Sequence, residues 1–241
     1  MDIGEASERD KLTTREDDLR NVEDDLRNGR VEYVSEALTA LPGAHQGKRK
    51  VRLASGLECI AKPAGGIADW PFAAQCEAAA WTLARWLDLW GLVPVTVLRE
   101  LKLPDGATEF AALQVWLDTY DADRWEDDFP EEELDWAGVF DYLIQQTDRD
   151  GHNWLVWRDE QGRPHLRLPD NGYAFGAPNR AFSSQFSRAR SGRPLSDEML
   201  AALQRLKDTR FVQELRSLLS QEHVNALLGR VDLLLVQRRL P

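Results

Sequence analysis

An α+β fold in two lobes, a small β-rich lobe carrying one long helix and a larger, mostly helical lobe, is what this 241-residue sequence predicts. Three observations carry that expectation. Strand-like runs lie on both sides of one Ala-rich helical run at about 72–90; the last 45 residues read almost wholly as helix; and a connection near Leu117 to Asp121 separates the two parts. Strands gathered early and helices gathered late describe an α+β chain, not a repeating βαβ one.

In chain order, residues 1–30 read as a charged helix or arm, in which EDDLRN occurs at 16–21 and again at 23–28 with Leu19 and Leu26 one heptad apart. Two copies are too few for a coiled coil. VEYVSEALTAL reads as strand, PGAHQGKRK as a loop, and KVRLA and LECIAKP as strands joined at Ser55-Gly56. After Gly65-Gly66 the helix at about 72–90 places Ala79, Leu83, Trp86, Leu87 and Trp90 at helical spacing and is expected to close at Gly91. VPVTVLREL and EFAALQVWL then read as strands around Pro104-Asp105-Gly106, completing a lobe at 31–117. In the second lobe, 118–241, LDWAGVFDYLIQQT reads as helix, NWLVW and HLRLP as a hairpin turning at Gln161-Gly162, and SDEMLAALQRLK, RFVQELRSLL and EHVNALLGRVDLLLVQRRL as helices.

Composition narrows the function classes. With 43% hydrophobic residues the chain can bury a sizeable core. A net charge of −11 disfavours nucleic acid and anionic lipid as partners, because both are held by Lys and Arg neutralising phosphates. No apolar run is long enough to span a bilayer and the first residues are acidic and polar, so no stable membrane insertion and a cytoplasmic location are expected. Cys59 and Cys76 form no CxxC pattern and are expected to be reduced thiols. Charge is uneven: ten acids fall between Asp118 and Asp135, whereas Tyr173 to Ser196 carries Arg180, Arg188, Arg190 and Arg193 and no acid.

The residues that carry chemistry surround the hairpin. Pairing NWLVW with HLRLP brings Asn153, at the start of one strand, beside Asp170, at the end of the other. An amide and a carboxylate supply oxygen ligands that suit Mg²⁺, with Mn²⁺ as a substitute. Asp148, on the loop five residues before Asn153, is placed to orient or deprotonate an attacking hydroxyl beside the metal. Phosphoryl transfer from ATP requires such a metal, together with a strand lysine for the phosphates and a helix glutamate to hold that lysine. Lys62 ends LECIAKP and Glu77 lies in the following helix, in the required order.

At these residues the sequence resembles the phosphatidylinositol 3-/4-kinase-like branch of the kinase fold, most of all the type II phosphatidylinositol 4-kinases and their bacterial relatives. The matching pieces are IAKP (60–63), CEAAAWTLARWLDLWGLVPVTVL (76–98), LQVWL (113–117), TDRDGHNWLV (147–156) and PDNGYAF (169–175), colinear over roughly half of the chain. The resemblance implies a bilobal protein-kinase-like fold that binds ATP between its lobes. It implies Asp148 as catalytic base, Asn153 and Asp170 as metal ligands, Lys62 and Glu77 as the phosphate clamp, and backbone groups of Gln114, Val115, Trp116 and Leu117 as the adenine-binding hinge.

The expected activity is transfer of the γ-phosphoryl group to a hydroxyl of a soluble protein or small molecule. A phosphoinositide acceptor, and a nucleotide-binding pseudokinase or AMP-transferring enzyme, are the alternatives. The loop PGAHQGKRK has only Gly43 and Gly47 and lacks G-x-G-x-x-G, so its nucleotide contact rests on position. His152 has a substrate-contacting and a structural reading. The segment after Asp170-Asn171-Gly172 takes the place of an activation segment, with Ser183, Ser184, Ser187 and Ser191 as candidate phosphorylation sites.

Overall fold

The computed structural model describes residues 8–38, 47–64, 71–117, 120–121, 129–150, 153–159, 161–176 and 182–241, the side chains of 8–17 and 120–121 excepted. The acidic run before Phe129, His152, Gly43 and Arg180 therefore lie outside the described side chains. Among the described residues there are seven helices and eight strands.

Five strands form the N-terminal sheet: β1 (Val31–Val34), β2 (Arg49–Leu53), β3 (Glu58–Pro63), β4 (Thr96–Lys102) and β5 (Thr108–Val115). All neighbours are antiparallel, in the order β1-β2-β3-β5-β4. Register sorts the side chains into two faces, because residues directly opposite each other point to the same side. Val51, Cys59 and Val115 share one face with Ala61, Leu113 and Val97; Lys62, Ala112 and Leu98 share the other with Ile60, Gln114 and Thr96.

The first face is covered by α1 (Glu8–Asn28), which packs against β4 and β5. Leu26 is fully buried there, and Leu19 and Val22 are partly buried against the core. The Arg99 guanidinium donates to the Leu26 and Gly29 carbonyls at 2.8 and 3.1 Å, placing positive charge at the C-terminal end of the helix. Cys59 lies under this cover, and burial, reinforced by Asp25, pushes its thiol up to about 12. It is an unreactive thiol at neutral pH.

The long helix, α2 (Ala73–Trp86), stops four residues before Trp90, where the periodicity places its end. The stop is a Schellman closure built on an aspartate: Asp88 takes φ 61°, the Leu89 N–H donates to Ala84 O at 2.8 Å, and the Asp88 N–H donates to Arg85 O at 3.3 Å. Arg205 pairs with the Asp88 carboxylate at 2.5 Å and holds that conformation. Gly91 is not needed as the terminator.

The second lobe contains β6 (Tyr120–Asp121), α3 (Glu131–Ile144), the hairpin β7 (Leu155–Arg158) and β8 (Pro164–Arg167), and then α4 (Gln185–Ala189), α5 (Asp197–Arg205), α6 (Thr209–Arg216) and α7 (Gln221–Gln237). Glu131, Glu132 and Glu133 occupy the first turn of α3, where carboxylates complement the helix dipole. Ser184, Ser196, Asp208 and Ser220 cap the last four helices through their side-chain oxygens. Trp154 is buried edge-on between Phe129 and Phe186, a core residue. No helix among the described residues is long and apolar enough to cross a membrane.

Leu26→Ala removes a fully buried side chain between α1 and the sheet. It is expected to lower unfolding stability by about 2–4 kcal/mol, measurable as a shift of the urea midpoint with the slope unchanged.

Candidate active site

Three separate segments meet at Lys62. It is the penultimate residue of β3, on the sheet face turned toward α2, and its Nζ lies 2.7 Å from Glu77 Oε1 and 2.6 Å from Asp170 Oδ1. Burial alone drives a lysine toward neutrality, but the Asp170 and Glu77 carboxylates outweigh it and raise the Lys62 pKa above its ordinary value. Burial likewise opposes charge on Asp170, and Lys62 and then Lys48 overcome it, holding that carboxyl well below the usual range. The Asp170 side chain keeps 36% exposure, leaving a face on which a ligand can approach. The loop after Asp170 passes over the start of α2: a Cβ built on Gly172 would make ordinary van der Waals contact with Ala73 Cβ at 3.4 Å and Glu77 Oε1 at 3.7 Å. Glu77 Oε2 is buried with no partner in the protein, a polar atom turned into the same site.

A second set of bonds fixes Asp148 and Asn153 relative to Asp170. Arg149 is fully buried; its Nη1 donates to Asn153 O at 2.6 Å and Pro169 O at 2.5 Å, and its Nη2 donates to Asn171 Oδ1 at 2.6 Å. The same guanidinium faces the fully buried Asp141 of α3 at 3.2 Å, and Ser184 Oγ donates to that carboxylate at 2.7 Å. Burial raises the Asp141 pKa against the pull of Arg149. Gln146 makes a parallel tie: its Oε1 accepts the N–H groups of Thr147 and Asp148 at 2.9 and 3.2 Å, and its Nε2 donates to Asp170 O at 3.2 Å. Asp170 itself sits at φ 56°, a left-handed conformation held by these loops.

Arg149 is an internal staple, and its carboxylate partner is Asp141. The signal available was Asp141 itself, an acid at core spacing from Leu134, Ala137 and Ile144 in an otherwise apolar helix face. Gln146 and Lys48 carried no sequence signal for their roles, and Asn171 stood out only as part of Asp170-Asn171-Gly172.

The Asn153 amide donates through Nδ2 to the Asp148 carbonyl. Amide and carboxylate oxygens such as those of Asn153 and Asp170 are of the hard type that a divalent cation completed by water and phosphate takes. Among the described residues no three His, Cys, Asp or Glu side chains gather into a metal cage.

Gln114 and Val115 end β5, and Trp116 and Leu117 leave it. The Val115 and Trp116 N–H groups donate to Val95 O at 3.1 Å and Glu58 O at 2.9 Å, and the buried Gln114 side chain donates to Thr96 Oγ1 at 3.0 Å. Lys50 lies over the Trp116 ring at 5.2 Å.

Two of the expected phosphorylation serines are structural. Ser184 is fully buried as the α4 cap, and Ser187 is buried with its Oγ donating to Gly138 O at 2.7 Å. Arg190 and Arg193 pair with Glu131 at 2.6 and 3.1 Å and also meet Asp135, so these arginines bind the start of α3. A cavity of about 990 Å³, walled in part by Trp90, Trp136, Trp157 and His165, contains none of Lys62, Glu77, Asp148, Asn153 or Asp170. The charged cluster, not that hollow, defines the candidate site.

Two consequences are measurable. Arg149→Ala strands the buried Asp141 carboxylate and should cost about 3–5 kcal/mol, with part recovered in Arg149→Leu/Asp141→Leu, as read by chemical denaturation. Asp170 titrates below its ordinary 3.8, so its ion pairs contribute stability that is fully present above that value and lost as pH falls below it. The stability gap between wild type and Asp170→Asn should therefore be widest near neutrality and narrow below about pH 4, as urea midpoints across that range would reveal.

No protein-family model matches the chain, and no curated protein matches it. Solved structures do. A crystal structure of the Golgi casein kinase with Mn/ADP bound aligns with a TM-score of 0.66 at 15% identity, covering 92% of this chain and 75% of that one. A second Golgi casein kinase structure gives 0.65 at 14% identity with the same coverage. The Helicobacter pylori proinflammatory kinase CtkA gives 0.46 at 12% identity, covering 89% of this chain and 94% of that one. The antiparallel sheet with α2 packed on it and the helical second lobe are those of a kinase-like fold.

Proposed function

We propose that this chain is an ATP- and Mg²⁺-dependent kinase that transfers the γ-phosphoryl group to a hydroxyl of a soluble protein or small-molecule acceptor. The observation that carries the reading is the meeting of Lys62 Nζ with Glu77 at 2.7 Å and Asp170 at 2.6 Å, one residue each from a strand, a helix and the loop after a hairpin. A buried lysine held charged by two carboxylates beside an exposed oxygen face is suited to gripping a polyphosphate and its cation.

In this reading Glu77 orients Lys62 toward the α- and β-phosphates. Asn153 Oδ1 and Asp170 hold the divalent cation, which offsets the negative charge of the phosphates. The Golgi casein kinase was solved with Mn/ADP, which supports a nucleotide and a divalent cation in this cleft, Mn²⁺ included. Asp148 accepts the acceptor's hydroxyl proton as its oxygen bonds to the γ-phosphorus; the bond to the β,γ-bridging oxygen breaks and ADP leaves with that electron pair. The hinge is the backbone of Gln114 to Leu117. Since the Val115 and Trp116 N–H groups already serve the sheet, Leu117 is the donor to adenine.

The D-R-x-x-x-N and D-N-G elements favour the phosphatidylinositol 3-/4-kinase-like branch, and with it a phosphoinositide as the second acceptor reading. One experiment addresses both. Purified protein is incubated with γ-labelled ATP and Mg²⁺ in the presence of generic protein substrates or phosphoinositide vesicles. Label on protein or small molecule is expected, and Asp170→Ala should reduce it by at least about 100-fold. Label on lipid would move the acceptor to the second reading; label from α-labelled ATP alone would replace phosphoryl with nucleotidyl transfer; and absence of both transfer and ATP binding would sink the proposal.

A further inference from the structure

Asp170 is held by two lysines, and only one of them belongs to the clamp described so far. Lys48, immediately before β2, places its Nζ 3.4 Å from the same Asp170 Oδ1 that Lys62 contacts, although the two residues lie far apart in sequence. The position is built. Gly47 takes φ 98° and packs so tightly on β3 that a Cβ would stand 3.0 Å from Pro63 Cγ, while the Lys48 carbonyl accepts the Leu38 N–H at 2.7 Å. Gly47 is thus seated beside the residue next to Lys62, and the Lys48 backbone is tied to Leu38. The Lys48 side chain is only 14% exposed.

Arrival of a divalent cation at Asp170 upsets the charge balance. Two ammonium groups and the cation would face two carboxylates, Asp170 and Glu77, leaving two positive charges unmatched in a partly desolvated site. Lys48 and a cation therefore compete for one oxygen unless an anion is delivered with the cation. A polyphosphate delivers it, and Lys48, at the margin of the lysine pair, is the group able to turn to the phosphates, since Lys62 stays anchored by Glu77.

Building on the kinase reading, we propose that Lys48 is a second triphosphate-binding lysine whose hold on Asp170 makes cation binding conditional on nucleotide. Asp170 is occupied by lysine in the absence of nucleotide and by the cation in its presence. Lys48 thus favours the cation–nucleotide complex over the cation alone.

The test uses the full chain and two variants, Lys48→Met and Lys48→Arg. Mn²⁺ binding without nucleotide is measured by electron paramagnetic resonance, and Mn–ATP binding by calorimetry. Lys48→Met should bind Mn²⁺ alone tighter by about threefold or more and Mn–ATP weaker by about tenfold, whereas Lys48→Arg, which keeps the charge, should stay close to wild type in both. The opposite signs are the signature, because general loosening of the loop would weaken both. If Lys48→Met moves both affinities in the same direction, or neither, the assignment of Lys48 is overturned, and the kinase reading survives so long as the wild type binds Mn–ATP. A wild type that binds no nucleotide removes both.

Discussion

A guanidinium cannot give up its proton, so once Arg149 is buried every one of its contacts becomes obligatory. Its surroundings are arranged to that end: the Asp141 carboxylate from α3, the carbonyls of Asn153 and Pro169, and the Asn171 amide. These partners come from a helix, the loop before the hairpin and the loop after it. Satisfying one side chain therefore fixes three segments against one another, and Asp148, Asn153 and Asp170 ride on them. Gln146 repeats the tie from the other side, gripping the Asp148 N–H and the Asp170 carbonyl with the two ends of one amide.

The other half of the site is electrostatic. The lower lobe presents a carboxylate on a constrained backbone, and the sheet presents lysines to it. Because Lys62 is pinned between Glu77 and Asp170, the ion pair crosses from the β-rich lobe to the helical one. Hydrogen bonds thus place the acid groups, and charge draws the sheet onto them.

Much of this was legible in the sequence because the groups that touch phosphate chemistry occur in short motifs. Lys62, Glu77, Asp148, Asn153 and Asp170 could each be picked out by type and order, and the structure brings Lys62, Glu77 and Asp170 into direct contact. The supporting groups were opaque for a physical reason: their partners are distant in the chain, as with Asp141 and Ser184, or Lys48 and Asp170. Burial inverted the reading of two serines, which looked like loop hydroxyls and are a helix cap and an internal donor. Helix ends failed similarly. A glycine rule pointed to Gly91, while an arginine on α5 stabilised a left-handed Asp88 that no local pattern announces. Charge along α1 masked Leu26, whose burial depends on a sheet face that forms only when five strands assemble.

The closure of α2 at Asp88 also has a mechanical side. Arg205 grips Asp88, and Glu214 on α6 takes both Arg85 at 2.5 Å and the Trp86 indole N–H at 3.3 Å, so this end of the helix is moored to the helical lobe. Glu77 stands eight residues away, about 12 Å along the axis. The last turn of α2 is thus tied to the helical lobe while Glu77, nearer its start, bonds Lys62 of the sheet, so one helix couples the two lobes. Glu23 of α1 joins the same span, accepting from the Trp81 indole N–H at 3.1 Å and lying 3.7 Å from Arg85, so α2 is a strut braced by the sheet, α1 and the helical lobe together.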